Sequence, residues 1–309
     1  MGIFMYIRYF LKNSIHVLRY RLFRKKRNVT KFKKQKGITL EYSDLLLSSW
    51  IESGKPFAAI RFGAVELSCV NNYEKILLGF KKGYKKSVRY SIKNGAGVFP
   101  VNKEGLSDYS KIALQSFKGS TILGITGLHM EDYFYTKYCS HLEIAQYEAF
   151  EPLRGNWIKF LEGKKVLVIS PFDEDINKQY KIKDKLFYDK RIPNFKLITL
   201  KAVQTMAKEN DERFISFSDA LEFMKEQIKN IDFDIALVGA GAYGSPLCEF
   251  ICSIGKQAIQ TGGATQTMFG IIGKRWENRK HVSKYINEYW IRPSAKPAGF
   301  EHVENGCYW

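Results

Sequence analysis

The segment Ile60-Arg61-Phe62-Gly63-Ala64-Val65-Glu66-Leu67 places an arginine before a glycine bend and a glutamate five residues after the arginine. A guanidinium can fork onto a carboxylate or a phosphate, and a carboxylate such as Glu66 can hold a divalent metal or take up a proton. The plainer reading is that the two side chains pair with each other. A second candidate is Gly239-Ala240-Gly241-Ala242-Tyr243-Gly244, a G-x-G-x-x-G pattern that follows an apolar run and precedes a helical one. Its glycines allow a tight turn and close backbone approach, and the following helix offers N–H groups to an anion. They would serve helix–strand packing equally well. A dinucleotide site also needs an acid at the end of the next strand, where this chain has Thr261-Gly262-Gly263, so NAD is disfavoured. That turn, continuing through Ala264, Thr265 and Gln266, can share one ligand with the first, which would hold phosphate while the second holds sugar or base. Lys274 and Arg275 follow, either to neutralise a departing diphosphate or as an ordinary exposed basic pair. Ser170 ends another apolar run and either caps a helix, the favoured role, or touches the ligand.

These turns act together only if one scaffold aims them at one place. From about Gly37 short β-branched runs alternate with longer helical stretches, which predicts a Rossmann-like α/β fold, a mostly parallel sheet with helices on both faces. Strands are expected at Phe57–Arg61, Thr121–Thr126, Lys165–Ser170, Lys196–Leu200, Asp234–Gly239 and Gln257–Gln260. Helices are expected near 42–52, 65–79, 104–118, 152–162, 174–190, 216–230 and 244–255. Ligands in open α/β sheets sit outside the carboxyl ends of the strands, so the turns after Arg61, Ser170 and Gly239 should face one crevice. The stretch carrying Glu143, Glu148, Glu151 and Trp157 marks a weak sub-boundary near 140–155 within a body that runs from 37 to 309.

Composition narrows the classes. With 309 residues, 45% hydrophobic and 26% charged, the chain can bury a large core without staples and fits neither disorder nor a polytopic membrane protein. Its net charge of +18 is uneven, since residues 1–36 hold twelve Lys or Arg and no acid. Within that arm Phe4, Ile7, Leu11, Ile15, Leu18 and Leu22 recur at helical spacing among Arg8, Lys12, Arg19 and Arg21, and the run Arg24-Lys25-Lys26-Arg27 with Lys31, Lys33, Lys34 and Lys36 follows. An amphipathic helix with a polybasic segment suits an anionic membrane surface. A solvated helix packed on the body is the alternative, with a nucleic-acid arm ranked below both because nothing else in the chain matches a nucleic-acid module. Five cysteines without a CxxC pair fit a reducing compartment, and no secretory signal or spanning stretch is evident, so a cytoplasmic protein, peripheral on the inner face of the plasma membrane, is expected. Cys248 and Cys252 read as core thiols, His129 as structural, and Trp276, Trp290, Tyr308 and Trp309 mostly as packing. G-x-S-x-G, H-E-x-x-H and P-loop patterns are absent.

Arg61-Phe62-Gly63-x-x-Glu66 resembles the RFG-D-G-E turn of GT-D-type (DUF1792) glycosyltransferases, whose D-x-E motif serves a metal and a UDP-sugar. The segments Val166–Phe172, Leu200–Thr205, Gly262–Gln266, Phe269–Ile271 with Gly273–Trp276, and Gly306–Trp309 resemble bacterial polysaccharide-cluster proteins that carry the GT-D name. The likeness covers about Gly37 to Trp309. It implies transfer of a sugar from a nucleotide-diphosphate donor, UDP-sugar favoured, to a surface-polysaccharide or lipid-linked acceptor, with Arg61 on the donor phosphate and Glu66 holding a metal or orienting the acceptor. Gly63, Ser170, Gly239, Gly241, Tyr243, Gly244, Gly262, Gly263, Thr265, Gln266, Lys274 and Arg275 would bind the nucleotide-sugar. Ala64 stands where the family has its first carboxylate, which puts manganese or magnesium in question and keeps open a non-catalytic scaffold that binds nucleotide-sugar or glycan.

Overall fold

The computed structural model describes residues 2–23, 29–206, 211–303 and 305–309. The run Arg24-Lys25-Lys26-Arg27 lies outside them. A long helix α1 (Gly2–Phe23) leads into a small antiparallel hairpin of β1 (Lys31–Phe32) and β2 (Gln35–Lys36). The body is a seven-stranded sheet of β3 (Phe57–Arg61), β4 (Ile122–Ile125), β5 (Glu143–Gln146), β6 (Lys165–Ser170), β7 (Lys196–Lys201), β8 (Ile235–Val238) and β9 (Gln257–Ile259). The spatial order is β5-β4-β3-β9-β8-β6-β7 and every pairing is parallel. This is the α/β, Rossmann-like arrangement.

Period-two alternation sends successive strand residues to opposite faces. Ala58, Ile60, Leu167, Ile169, Ala236 and Val238 enter one buried cluster, with α3 (Ala64–Leu77), α4 (Lys86–Ala96), α5 (Lys103–Gly119) and the helices Phe217–Lys229 and Gly244–Ser253. Phe57, Ala59, Val166, Val168, Ile235 and Leu237 enter the other, beneath α2 (Leu40–Ser53) and the segments that carry Trp276, Trp290 and Trp309. Both faces are covered, which explains why the central strands read as unbroken apolar runs.

The elements depart from the sequence reading in a few places. Residues 152–162 form only a 3₁₀ turn, Trp157–Leu161, because tertiary bonds hold the segment: Trp157 Nε1 donates to the Ala149 carbonyl at 2.8 Å, and Asp44 Oδ1 accepts the Asn156 and Trp157 N–H groups at 2.8 and 3.0 Å. Residues 174–190 divide into α7 (Asp173–Tyr180) and the turn Lys183–Leu186. Helices α4 and α6 (Glu131–Tyr138) and edge strand β5 come from stretches not read as regular structure. No helix among the described residues is long and apolar enough to cross a membrane.

Candidate functional site

A cavity of about 240 Å³ opens at the carboxyl ends of β3, β6, β7, β8 and β9, lined by residues from the turn after each of those strands. It brings together Arg61, Gly63, Glu66, Gly239, Gly241, Tyr243, Gly262, Gly263 and Arg275, and adds Gln260, Thr205 and the Tyr308-Trp309 pair. The turn after Ser170 reaches it through Pro171 and Phe172. Ordinary α/β topology predicts a ligand at this end of the sheet.

Arg61 is the last residue of β3 and is half-buried. Its backbone N–H donates to Gln260 Oε1 at 2.9 Å, which fixes the strand end against the turn after β9. The guanidinium lies over the Tyr147 ring, 4.1 Å from its centre. Burial opposes the charge, but Tyr147, Glu66 and Tyr308 outweigh it and hold the Arg61 pKa above its ordinary value, against a smaller contrary effect of Arg275. The group is therefore a permanent cation. Its buried Nε has no hydrogen-bond partner within the protein. A desolvated charged donor left unmatched on a cavity wall is costly, and an incoming acceptor would relieve that cost.

Glu66 lies in the first turn of α3, whose N-cap is Gly63. Its carboxylate folds back over that glycine so closely that a Cβ at position 63 would fall 2.0 Å from Oε2. Gly63 thus makes room for the carboxylate of the glutamate beside it. The glycine turns follow the same logic. A Cβ on Gly239 would meet Thr265 Oγ1 at 2.5 Å and the Gly262 carbonyl at 2.7 Å, so Gly239 lets the two turns touch. Gly262 has φ +58 and presents its backbone to Arg61 Nη2 and the Tyr147 hydroxyl. Gly263 makes way for the Tyr308 ring, 2.2 Å from where its Cβ would be. Arg275 Nη1 donates to the Tyr308 hydroxyl at 3.0 Å, and the guanidinium also stacks over that ring at 4.7 Å.

The remaining sequence candidates stand behind the wall or outside it. Ser170 is buried, and its Oγ accepts the Phe172 N–H at 3.2 Å, a turn-capping role. Gly244 makes room for the Gln260 side chain, whose Nε2 lies 2.6 Å from where a Cβ would stand. Thr265 is buried between Thr261 Oγ1 and the Gly262 carbonyl, both at 2.6 Å. Gln266, also buried, donates to the carbonyls of Ile271 and Tyr308 at 3.2 Å and so ties the chain's final segment to the turn. Lys274 is exposed and does not line the cavity. Tyr243 lines it while stacked on Phe217 at 4.3 Å, and its hydroxyl meets Thr205 Oγ1 at 3.1 Å.

The sequence reading passed over Gln260, Thr205 and Tyr147 as site residues. Gln260 carried a signal, as a polar residue at a strand's carboxyl end. Tyr147 carried none, because its stretch showed no strand pattern.

A divalent cation here would have Glu66 as its protein carboxylate and would take the rest of its oxygen shell from water and substrate phosphates. Among the described residues Glu66 is the one acidic side chain lining the cavity, which the guanidinium groups of Arg61 and Arg275 also face. Among the described residues no group of three His, Cys, Asp or Glu is placed to hold a metal.

No protein-family model matches the chain, nor does any curated protein. Among solved structures, the chain is similar to a selenomethionine-substituted structure of domain of unknown function 1792, at 12% identity and TM-score 0.42, over 79% of this chain and 88% of that one. It is also similar to a structure whose description gives the highly conserved domain of unknown function 1792 a distinct glycosyltransferase fold, at 11% identity and TM-score 0.41, over 81% of this chain and 94% of that one.

Proposed function

We propose that the chain is a glycosyltransferase that takes a sugar from a nucleoside-diphosphate donor and passes it to a hydroxyl of a surface glycan or its lipid-linked precursor. The observation that carries this reading is the unmatched Arg61 Nε, set with Arg275 around a cavity whose floor is two glycine turns. Two fixed cations with close backbone access suit a diphosphate. In the transfer the bond between the sugar's anomeric carbon and the diphosphate oxygen breaks, and the acceptor oxygen bonds to that carbon. Arg61 and Arg275 meet the charge that builds on the departing diphosphate. Glu66 orients the acceptor hydroxyl and takes its proton. The Tyr308 ring, held by Arg275 and Gly263, offers a stacking face to the base or sugar. The donor's charge is met here by guanidinium groups.

One observation favours a second reading. Glu66 is folded over its own helix start, as a capping residue would be, which suits a protein that binds the donor and transfers nothing.

Thermal-shift binding of UDP, GDP, CMP and NAD, each with and without manganese, followed by turnover with radiolabelled donors, separates the readings. A ligand at 100 times its dissociation constant stabilises by about 2.7 kcal/mol. Stabilisation by UDP or GDP without manganese, with sugar transferred or donor hydrolysed by the wild type and not by Glu66→Ala, is the expected result. Binding with no turnover establishes the scaffold, and protection by NAD alone overturns both.

A further inference from the structure

Helix α1 meets the body through one face and turns the opposite face to solvent. Tyr6 is buried, donates to Asn71 Oδ1 at 2.8 Å and packs edge-on against Tyr133 at 5.1 Å. The Tyr9 hydroxyl meets Thr136 Oγ1 at 3.1 Å, and Lys12 Nζ donates to Asp132 Oδ2 at 2.9 Å. Asn13, also buried, donates to Asp132 Oδ1 at 2.9 Å and accepts the Met130 N–H at 3.1 Å. Met130 takes the left-handed backbone at the start of α6, so Asn13 forms part of that turn. The spacing of Tyr6, Tyr9 and Asn13 marks the docked face.

The apolar stripe lies on the other side. Phe4, Ile7, Leu11, Ile15 and Leu18 are 81, 40, 59, 53 and 56% exposed. An amphipathic helix normally turns such a stripe to the core. Here aromatic hydroxyls and an amide do the docking, and the stripe is left outward as a continuous row. Cations border it. Arg8, Lys12 and Arg19 are exposed on the helix, and Lys31, Lys33, Lys34 and Lys36 are exposed on the hairpin, which Lys33 ties to α1 through the Tyr9 hydroxyl. Lys75 stands over the Phe10 ring at 5.4 Å, its pKa held below the ordinary value by burial and then by Lys85 and Lys81. No acid occurs in residues 1–36.

We propose that the outward face of α1 lies in the surface of an anionic lipid bilayer, with Phe4, Ile7, Leu11, Ile15 and Leu18 among the acyl chains and the bordering cations at the headgroups. Charge selects this occupant. A second copy of the chain would bring the same cations against this rim, whereas an anionic bilayer meets both the apolar row and the charge. The inference stands apart from the cavity and survives if no sugar donor binds.

Flotation of the full chain with vesicles of phosphatidylcholine, alone or with about a third phosphatidylglycerol, tests it. The wild type should float with the anionic vesicles and stay behind with the neutral ones. F4E/L11E should lose anionic binding with an unchanged melting temperature, because neither side chain carries the docking bonds. Each surface cation contributes about fivefold, so K34Q/K36Q should weaken binding by about 30-fold. Equal binding to both vesicle types, or retention by F4E/L11E, overturns the proposal. So does a dimer in sedimentation velocity that F4E/L11E dissolves in the absence of lipid, since the face would then be a self-association surface.

Discussion

Two neighbouring turns of the sheet begin alike and end differently. Strands β3 and β4 pair in parallel with Arg61 opposite Gly124, and each runs through a glycine into a helix with a glutamate in its first turn, Glu66 in α3 and Glu131 in α6. After β4 the arrangement is closed. Glu131 is fully buried and accepts the N–H groups of Thr126, Gly127 and Leu128 at 3.1, 2.7 and 3.2 Å. The carboxylate has its ligand in the backbone, and α1 seals the turn through Asn13 and Met130. After β3 the glutamate lies over Gly63, and the arginine before the bend keeps an unmatched Nε at the edge of a cavity. A buried charge that its own chain satisfies is structural, and one that its chain leaves unsatisfied points to something that binds.

Loss of Glu131 should have the largest effect, and it should fall on stability. Glu131→Ala removes the acceptor of three part-buried N–H groups, at about 1 kcal/mol each, so urea unfolding should show a loss of about 3 kcal/mol. Nucleotide affinity of the folded protein should not change. Arg61→Ala should behave in the opposite way. The guanidinium makes no side-chain hydrogen bond through Nε to lose, and its stacking on Tyr147 contributes about 1 kcal/mol or less. Donor binding should fall by about 30-fold, as for a lost charge-assisted bond of about 2 kcal/mol, measured by calorimetric titration. If Arg61→Ala unfolds as readily as Glu131→Ala, both turns are structural and the contrast collapses.

The contrast was only partly legible in the sequence. Strands β3 and β6 have the expected bounds, because their apolar runs end abruptly in arginine or in Ser-Pro. Strand β5 was invisible, with just Ile144 and Ala145 as apolar signal inside four residues. The stripe of α1 showed plainly, but which face docks did not. Docking uses Tyr6, Tyr9 and Asn13, whose bonds reach partners more than 60 residues away and leave no apolar period. In the cavity Arg61 and the glycine turns were readable as local motifs. The place of Gln260 at a strand end was readable too, but its bond to Arg61, 199 residues away in sequence, was not. Lys274 and Arg275 looked equivalent, yet adjacent positions on a helix do not share a face, and only Arg275 reaches the wall.

Gly63→Ala sharpens the comparison from within the open turn. The backbone at Gly63, φ −74 and ψ 150, suits alanine, and the nearest conflict is with the Glu66 carboxylate. Displacing it should reduce stability by about 1 kcal/mol, as loss of a cap does. Transfer should fall as far as in Glu66→Ala, while donor affinity stays within about threefold, because the two cations are untouched. A stability loss with transfer intact would make Glu66 a cap and nothing more, and the two glutamates would then be doing the same job.

The smallest effect is expected at the far wall, from Tyr308→Phe. The ring remains, packed into the space that Gly263 leaves, so the core should not notice the change. What is lost is the hydroxyl that accepts from Arg275 Nη1. One such bond is worth about 1 kcal/mol, so donor affinity should weaken about fivefold through a less firmly aimed Arg275. The same variant should bind inorganic pyrophosphate with a similar deficit, because the defect lies at the cation. A loss as large as that of Arg61→Ala would shift the weight of diphosphate recognition from the β3 turn to Arg275. The open turn would then owe its unmatched nitrogen to some other ligand.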